Sequence, residues 1–241
     1  MLIIKRLSHA GVLFAVLLAM LVMPQTSLNG QETEMTVEQS YLQESVEMVI
    51  IREQSRSNSR DNKLVALDYI GSAINRGSTS AELQATLDYL SLEGILNKTT
   101  ENGRVVNNFP DVRRQAAIYL GQLGTPEAKT SLIKMLNADY ETMVISEAIR
   151  ALGIIGTNEN NESSTIIAWT FNRFNTLSPD NFLAITTLDA LERLAIANKG
   201  LTDPLAFETM MRISENYIYI TPVRNRAREL MDNLLKGNYN Q

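Results

Sequence analysis

Few residues in this chain are suited to catalysis or to metal binding. The sequence contains no cysteine and one histidine, His9, which lies in the N-terminal segment. The body of the chain therefore lacks a cysteine or histidine nucleophile, a catalytic triad and the usual zinc or haem ligands. The polar stretch 158–162 lacks the alternation of a calcium loop, and Gly121-x-x-Gly124 lacks the lysine of a phosphate loop. This composition predicts a protein that is not an enzyme and that uses no metal or cofactor.

Trp169 and Arg173 form the first group of residues that is typical of a binding surface. They lie one helical turn apart, together with Phe171 and Phe174. Tryptophan and arginine are favoured anchors of protein interfaces, whereas aromatic residues at helical spacing are more often part of a core. Phe171 and Phe174 share a face, and Trp169 lies about 200° from Phe171 around a helix. Both a core role and an exposed binding role remain open for Trp169.

The second group lies in the segment 98–108, which interrupts the helical pattern. Asn102-Gly103 stands between residues of high strand propensity, the usual signal for a two-residue hairpin turn. Glu101 and Arg104 would flank this turn as a pair of opposite charge. A ribbon with Asn102, Gly103 and Arg104 at its tip would contact a partner or extend the partner's sheet. The alternative is a disordered loop.

Prolines, cap residues and glycines divide the body of the chain into helices. Each proline after residue 100 stands where an apolar helical pattern begins, and glycines stand at the opposite ends. The expected N-caps are Thr125, Ser178, Asp203 and Thr221, and capping boxes begin at Thr36 and Thr79. These signals predict an all-α fold of about five antiparallel helix pairs. The ten predicted helices are 36–54, 61–75, 80–97, 110–123, 126–137, 140–155, 162–175, 179–198, 204–216 and 222–236.

The predicted pairs are similar to one another in sequence. The frame Ala-x-x-x-Leu-Gly-x-(Leu/Ile)-Gly occurs at 116–124 and again at 148–156. Part of it recurs within 61–75, and Arg224 corresponds to Arg113. Small residues on a shared face would let neighbouring helices approach closely, and the final glycine would end each helix.

These residues resemble a HEAT repeat. The resemblance rests on Pro-Asp-Val-Arg-Arg-Gln-Ala-Ala at 110–117, followed by Leu-Gly-Gln-Leu-Gly-Thr-Pro-Glu-Ala at 120–128. The sequence is most similar to the short bacterial kind also named for the phycobilisome lyases. The resemblance implies an α-solenoid, a HEAT-like superhelix over 31–237, whose inner helices commonly bind ligands and include 162–175. It also implies that arginines such as Arg113 bridge adjacent repeats.

The first thirty residues have the pattern of a secretory signal peptide. Lys5 and Arg6 precede an apolar run over 10–23, and a small, polar tail follows. This run is shorter than the roughly 20 residues that span a bilayer comfortably. We therefore expect a signal peptide at 1–30 and an exported, periplasmic or otherwise extracytoplasmic protein, with a retained membrane anchor as the alternative. The tail 238–241 is expected to be frayed.

The linker 216–221 and the helix after it contain a further group of candidate contact residues. Tyr217 and Tyr219 are expected to pack against the last helix pair while their hydroxyl groups stay in water. Arg224, Arg226 and Arg228 follow as a basic cluster in an acidic chain. We expect these arginines to be structural, with an acidic partner or an anionic lipid as the alternative.

The net charge of the chain limits the classes of partner that it can be expected to bind. The formal net charge is −5 and no long basic stretch is present, which argues against nucleic-acid binding. The sequence predicts an exported, non-enzymatic scaffold or adaptor that binds protein partners in an envelope assembly. A membrane contact is expected only if the N-terminal segment is retained. The alternatives are a small-molecule-handling or lyase-like repeat protein and a scaffold tethered by an uncleaved N-terminal helix.

Overall fold

The computed structural model of the protein describes residues 37–239. The predicted signal peptide at 1–30 and the capping box at Thr36 lie outside the described residues. The chain divides into two compact units after Tyr41, and the packing given below lies within the unit that begins at Leu42. Across 37–239, none of the helices is both long enough and apolar enough to cross a membrane.

Ten α-helices and one two-stranded hairpin form the regular structure of the described part, which confirms the predicted all-α class. The helices are α1 (Val37–Arg56), α2 (Arg60–Asn75), α3 (Ala81–Ser91), α4 (Pro110–Leu123), α5 (Pro126–Ala138), α6 (Thr142–Ile155), α7 (Glu162–Leu177), α8 (Asn181–Ala197), α9 (Pro204–Glu215) and α10 (Thr221–Leu235). The strands are β1 (Thr100–Glu101) and β2 (Arg104–Val105), and a 3₁₀ turn covers Glu159–Asn161.

Two of the predicted N-caps are confirmed by side-chain hydrogen bonds. The Thr125 hydroxyl accepts from the Ala128 amide at 3.1 Å, and the Asp203 carboxylate accepts from the Leu205 amide at 2.9 Å. Both caps are followed by a proline in the first turn, whose missing N–H would have no helical partner there.

The predicted caps at Thr79, Ser178 and Thr221 are displaced by one or two residues from the observed N-cap positions. Asp180, rather than Ser178, caps α8 and accepts from the Leu183 amide at 2.8 Å. Ser80, rather than Thr79, caps α3. Thr221 is the first residue of α10 instead of its cap. Thr79 and Ser80 are adjacent residues of similar capping ability, whereas the N-cap position of α10 is Ile220, which makes no side-chain cap hydrogen bond.

The third predicted helix, 80–97, is shorter than expected because it ends at Ser91. The chain then turns at Gly94, which has a φ of +74°. A Cβ atom on Gly94 would lie 2.5 Å from the carbonyl oxygen of Asn107. Only glycine permits this close approach of the backbone to the segment that leads into α4.

Within this unit the helices form two layers. In the first layer α2, α4, α6, α8 and α10 pack side by side, and in the second layer α3, α5, α7 and α9 do so. Pairs such as α5 and α6 contact each other across the layers. The first pair is linked by Lys63 of α2, whose Nζ donates to the carbonyl oxygen of Ser55 in α1 at 2.7 Å. The predicted arrangement of ten helices in five pairs is thus present.

The repeated sequence frame places glycine where helices of the first layer come closest. A Cβ atom on Gly121 would lie 2.9 Å from Ala151 Cβ, and one on Gly153 would lie 2.8 Å from Ala190 Cα. The final glycine of the frame, Gly124, ends α4 with a φ of +66°. The expected close approach and the expected helix stop are both confirmed.

Helix α7 lies in the second layer, with α5 and α9, rather than with α4, α6 and α8. In the second layer a groove of about 540 Å³ separates α3 from α5. Helix α7 is the first helix of its pair, as α5 is, whereas the sequence frame marks the second helix of each pair. The grouping of 162–175 with the inner helices stays a prediction.

Candidate functional site

The segment 98–108 folds as the hairpin that its sequence indicates. Asn102 and Gly103 have φ values of +50° and +77°, which fit a type I′ turn. Thr100 pairs with Val105, and Glu101 pairs with Arg104, in antiparallel register. Every residue from 100 to 106 is exposed. Asn102, Gly103 and Arg104 thus lie at the tip of an ordered ribbon, and the disordered-loop alternative is excluded.

A buried asparagine anchors the base of this hairpin. Asn107 Nδ2 donates to Glu93 Oε1 at 2.7 Å and to the carbonyl oxygen of Asn97 at 2.6 Å. Its Oδ1 accepts from the Thr99 amide at 2.7 Å. An isolated two-stranded ribbon is marginal in water, so these bonds hold it to the repeat core. Sequence reasoning missed Asn107, because no local pattern showed that its side chain is buried.

Two buried ion pairs continue from this anchor through the array. Lys63 and Glu93 are each about 1% exposed, and Lys63 Nζ lies 3.1 Å from Glu93 Oε1. Arg113, also 1% exposed, donates from Nε to Asp139 Oδ2 at 2.7 Å. Arg113 Nη1 also donates to the carbonyl oxygen of Glu93 at 3.0 Å. The chain of contacts links α2, α4 and the turn before α6, as the resemblance implied for Arg113.

Trp169 and Arg173 form an aromatic patch with Tyr140, which lies in the turn between α5 and α6. The Arg173 guanidinium lies 4.9 Å from the Trp169 ring centroid and 5.9 Å from that of Tyr140. Trp169 is 45% exposed and Tyr140 is 78% exposed, whereas Phe171 is buried. The core alternative therefore holds for Phe171 and not for Trp169.

Arg173 fixes this patch to the end of α5. Its Nη2 donates to the carbonyl oxygen of Leu136 at 2.8 Å, and its Nη1 donates to that of Asn137 at 3.3 Å. A cation at the C-terminus of a helix also interacts favourably with the helix dipole. Trp169 and Arg173 are thus brought together, whereas Asn102, Gly103 and Arg104 lie on a different element.

The two tyrosines of the last linker have opposite environments. Tyr217 is 88% exposed, so the expectation that it packs against the last pair is wrong. Tyr219 is buried, and its hydroxyl donates to Asn175 Oδ1, so the expected wet hydroxyl is also wrong. A turn in which the Tyr219 amide donates to the carbonyl oxygen of Asn216 places the Tyr217 ring outward. The Tyr219 ring lies against Phe171, at 6.3 Å between centroids.

Tyr219 predicts a loss of stability in alkali. Burial raises the pKa of Tyr219 to about 12, and the charge of Asp180 adds to this effect. An unfolded tyrosine titrates near pH 10, so its contribution is complete below about pH 10 and is lost as the pH rises through about 12. We expect the unfolding free energy to fall by about 2 to 3 kcal/mol from this group. Urea titrations of wild type and Tyr219→Phe between pH 9 and about 12 measure this loss, because the phenylalanine variant should lack this component.

Tyr217→Phe, which changes the exposed ring, is the control and should keep the wild-type dependence of stability on pH. Equal pH profiles for all three proteins would refute the assignment to Tyr219.

The basic cluster of α10 is partly structural. Arg226 forms an ion pair with Glu192 of α8, and Arg228 donates to the carbonyl oxygen of Ser214 at 2.8 Å. Arg224, which corresponds to Arg113, instead lies 5.1 Å from the Tyr217 ring. Arg224 and Arg113 therefore differ in their contacts, although they occupy the same position of the sequence frame.

The polar stretch 158–162 forms the 3₁₀ turn and the start of α7. The Asn158 side chain accepts from the Ser164 amide at 2.9 Å, so it serves the helix start. Within 37–239, no group of three or more histidine, cysteine, aspartate or glutamate side chains is placed to hold a metal ion. This stretch is an ordinary connection between repeats.

Paired helices that stack in two layers and share a sequence frame define a helical-repeat protein, in which each pair completes its core against its neighbours. The family model for HEAT repeats matches residues 104–164, which contain α4, α5 and α6. This part of the chain therefore contains HEAT repeats, as the resemblance over 110–156 predicted. No curated protein matches the chain.

Proposed function

We propose that the protein is an exported scaffold that binds protein partners of an envelope assembly and catalyses no reaction. HEAT repeats generally mediate protein interactions. The observation that supports a binding role most strongly is the patch of Tyr140, Trp169 and Arg173 on the second layer. Exposed tryptophan and tyrosine beside arginine are the residue types that dominate interface energetics.

The rigidity of this patch favours binding through a preformed surface. Arg173 is fixed by backbone carbonyl groups at the end of α5, and both aromatic rings lie close to its guanidinium. A partner that docks on Trp169 would therefore order few additional side chains, which lowers the entropic cost of association. The helix array fixes the position of the patch, and the protein that binds the patch determines which assembly forms.

Trp169→Ala is expected to weaken the capture of protein partners by roughly thirtyfold, the effect of losing an interface anchor of about 2 kcal/mol. The stability loss should be small, because nearly half of the side chain is exposed. The measurement compares the proteins crosslinked to a tagged chain in intact cells, with folded protein quantified by circular dichroism.

Met211→Ala is the matched control. Met211 lies on α9 in the same layer and is 48% exposed, close to the value for Trp169. It should leave partner capture unchanged. A large stability loss in Trp169→Ala with unchanged capture per folded molecule would show that the ring serves the core instead of an interface.

Export rests on the pattern of residues 1–30. The test is fractionation of cells that produce the chain with a C-terminal tag. A shortened chain outside the cytoplasm is the expected result, and a full-length cytoplasmic chain would contradict export. Carbonate extraction of the membranes distinguishes the tethered alternative, because release into the supernatant rules out a retained anchor.

A further inference from the structure

The two edges of the helix array differ in the side chains that their turns expose. Successive helices run in opposite directions, so the turns inside the pairs lie on one edge and the turns between pairs lie on the other. The turns between pairs are 76–80, 124–125, 156–161 and 198–203, and among these described residues no large apolar side chain is exposed. We call the edge that carries the turns inside the pairs the turn edge.

Two segments of the turn edge concentrate exposed apolar residues. One is the hairpin segment 92–109, and the other is the linker 216–220 before α10. Tyr217 is 88% exposed and Ile218 is 65% exposed. The six exposed large apolar residues of the two segments are Leu96, Val105, Val106, Tyr217, Ile218 and Ile220.

Cationic side chains lie within the hairpin segment and directly after the linker, although the segments 92–109 and 216–220 have no net charge themselves. Residues 216–228 contain three arginines and no acidic residue, and residues 98–106 contain Lys98 and Arg104 against Glu101. The whole chain has a net charge of −5. Glu192 neutralises Arg226, but Arg224 lies against the exposed Tyr217 ring. Apolar side chains and cations thus coincide at both places.

We propose that the turn edge docks on the surface of a lipid bilayer that contains anionic lipid. Tyrosine is enriched at membrane interfaces, where its ring lies among the headgroups and its hydroxyl stays hydrated. Apolar side chains at the hairpin and at the last linker enter the headgroup region, and Lys98, Arg104 and Arg224 interact with lipid phosphates. Docking of this kind needs no membrane-spanning helix, and it goes beyond the proposed binding of protein partners.

Both segments are anchored, so they present their outer residues as fixed contacts. Asn107 holds the base of the hairpin through Glu93 and Thr99. Tyr219 lies buried between the two exposed neighbours Ile218 and Ile220. Two clusters on separate turns of one edge fit an extended lipid surface better than one compact protein pocket.

The test is flotation of the full chain with vesicles of phosphatidylcholine and phosphatidylglycerol. We expect the double variant Tyr217→Ser/Ile218→Ser to lower the partition coefficient by about tenfold or more, because both side chains leave the interface. Circular dichroism checks that the fold is intact. The matched control is Ile154→Ser/Ile196→Ser, which removes two side chains of 51% and 58% exposure from the helix ends near the opposite edge. This control should bind like wild type.

A site-specific fluorophore separates docking of the edge from binding by the apolar N-terminal segment. The chain has no cysteine, so Thr100→Cys and Glu159→Cys each provide one labelling site, on the hairpin and on the opposite edge. An environment-sensitive dye should shift to the blue at position 100 and not at 159 when vesicles are added. No vesicle binding, equal losses in both serine variants, no loss in Tyr217→Ser/Ile218→Ser or equal dye shifts would each overturn the proposal.

Discussion

Arg113→Met is expected to lower the free energy of unfolding by about 3 to 5 kcal/mol, because it leaves the Asp139 carboxylate buried without its cation. Arg113 and Asp139 are almost fully buried, and two guanidinium nitrogens face the two carboxylate oxygens, at 2.7 and 3.3 Å. The same arginine also donates to the carbonyl oxygen of Glu93 and to Asn108 Oδ1. The loss would therefore loosen the hairpin base as well as the junction between α4 and α6. Urea denaturation followed by circular dichroism measures it.

Arg224→Met is the matched control for this prediction. Arg224 occupies the same position of the sequence frame, but it contacts the Tyr217 ring and the Thr221 hydroxyl at the end of the array. Its loss should cost less than about 1 kcal/mol. Adding Asp139→Asn to Arg113→Met should recover part of the stability, because the uncompensated charge is removed. Similar losses for Arg113→Met and Arg224→Met would contradict the bridging role.

Gly153→Val is expected to destabilise the array by about 3 kcal/mol or more, at the upper end of overpacking effects. A Cβ atom at this position would already lie 2.8 Å from Ala190 Cα and 3.0 Å from Ala190 Cβ. The nearest atom belongs to the backbone of α8, so α6 and α8 must move apart to accept a side chain. Thermal and urea denaturation both report the change.

Ser72→Val controls for the added side chain itself. Ser72 is exposed on α2, so valine there loses a hydroxyl bond to the carbonyl oxygen of Asp68 and little else. A loss of less than about 1 kcal/mol is expected. In Gly153→Ala, the better helix propensity of alanine stabilises the helix by at most about 1 kcal/mol. The added Cβ atom makes the same close contact with α8, and this contact opposes the gain. An equally stable Gly153→Val protein would show that the two helices are not held at this spacing.

Sequence periodicity was sufficient to predict the helices and the repeat. The frame at 116–124 and 148–156 predicted close helix contacts, because glycine and alanine leave room where larger residues cannot. Asn102-Gly103 predicted the hairpin for a similarly local reason, since its turn type requires positive φ at both residues. Helix starts were less certain where two capping residues are adjacent, as at Thr79 and Ser80.

Side-chain burial that depends on distant partners could not be predicted in this way. Asn107 and Glu93 have ordinary local surroundings in sequence, yet both are buried against residues that lie far along the chain. The layer of α7 depends on which helix of a pair carries the frame, and the frame is weak after residue 160. Tyr217 and Tyr219 show the same limit, because alternation would place residues two apart on one face, whereas the turn at 216–219 separates their environments.

Crosslinking in intact cells, followed by affinity purification and mass spectrometry of a tagged chain, tests the scaffold function most directly. We expect one or two stoichiometric envelope proteins, which should be lost when Trp169 and Tyr140 are both changed to serine and retained in Met211→Ala. A copurifying small molecule without a protein partner would contradict it. That result would favour a ligand-handling or lyase-like protein and direct attention to the groove between α3 and α5.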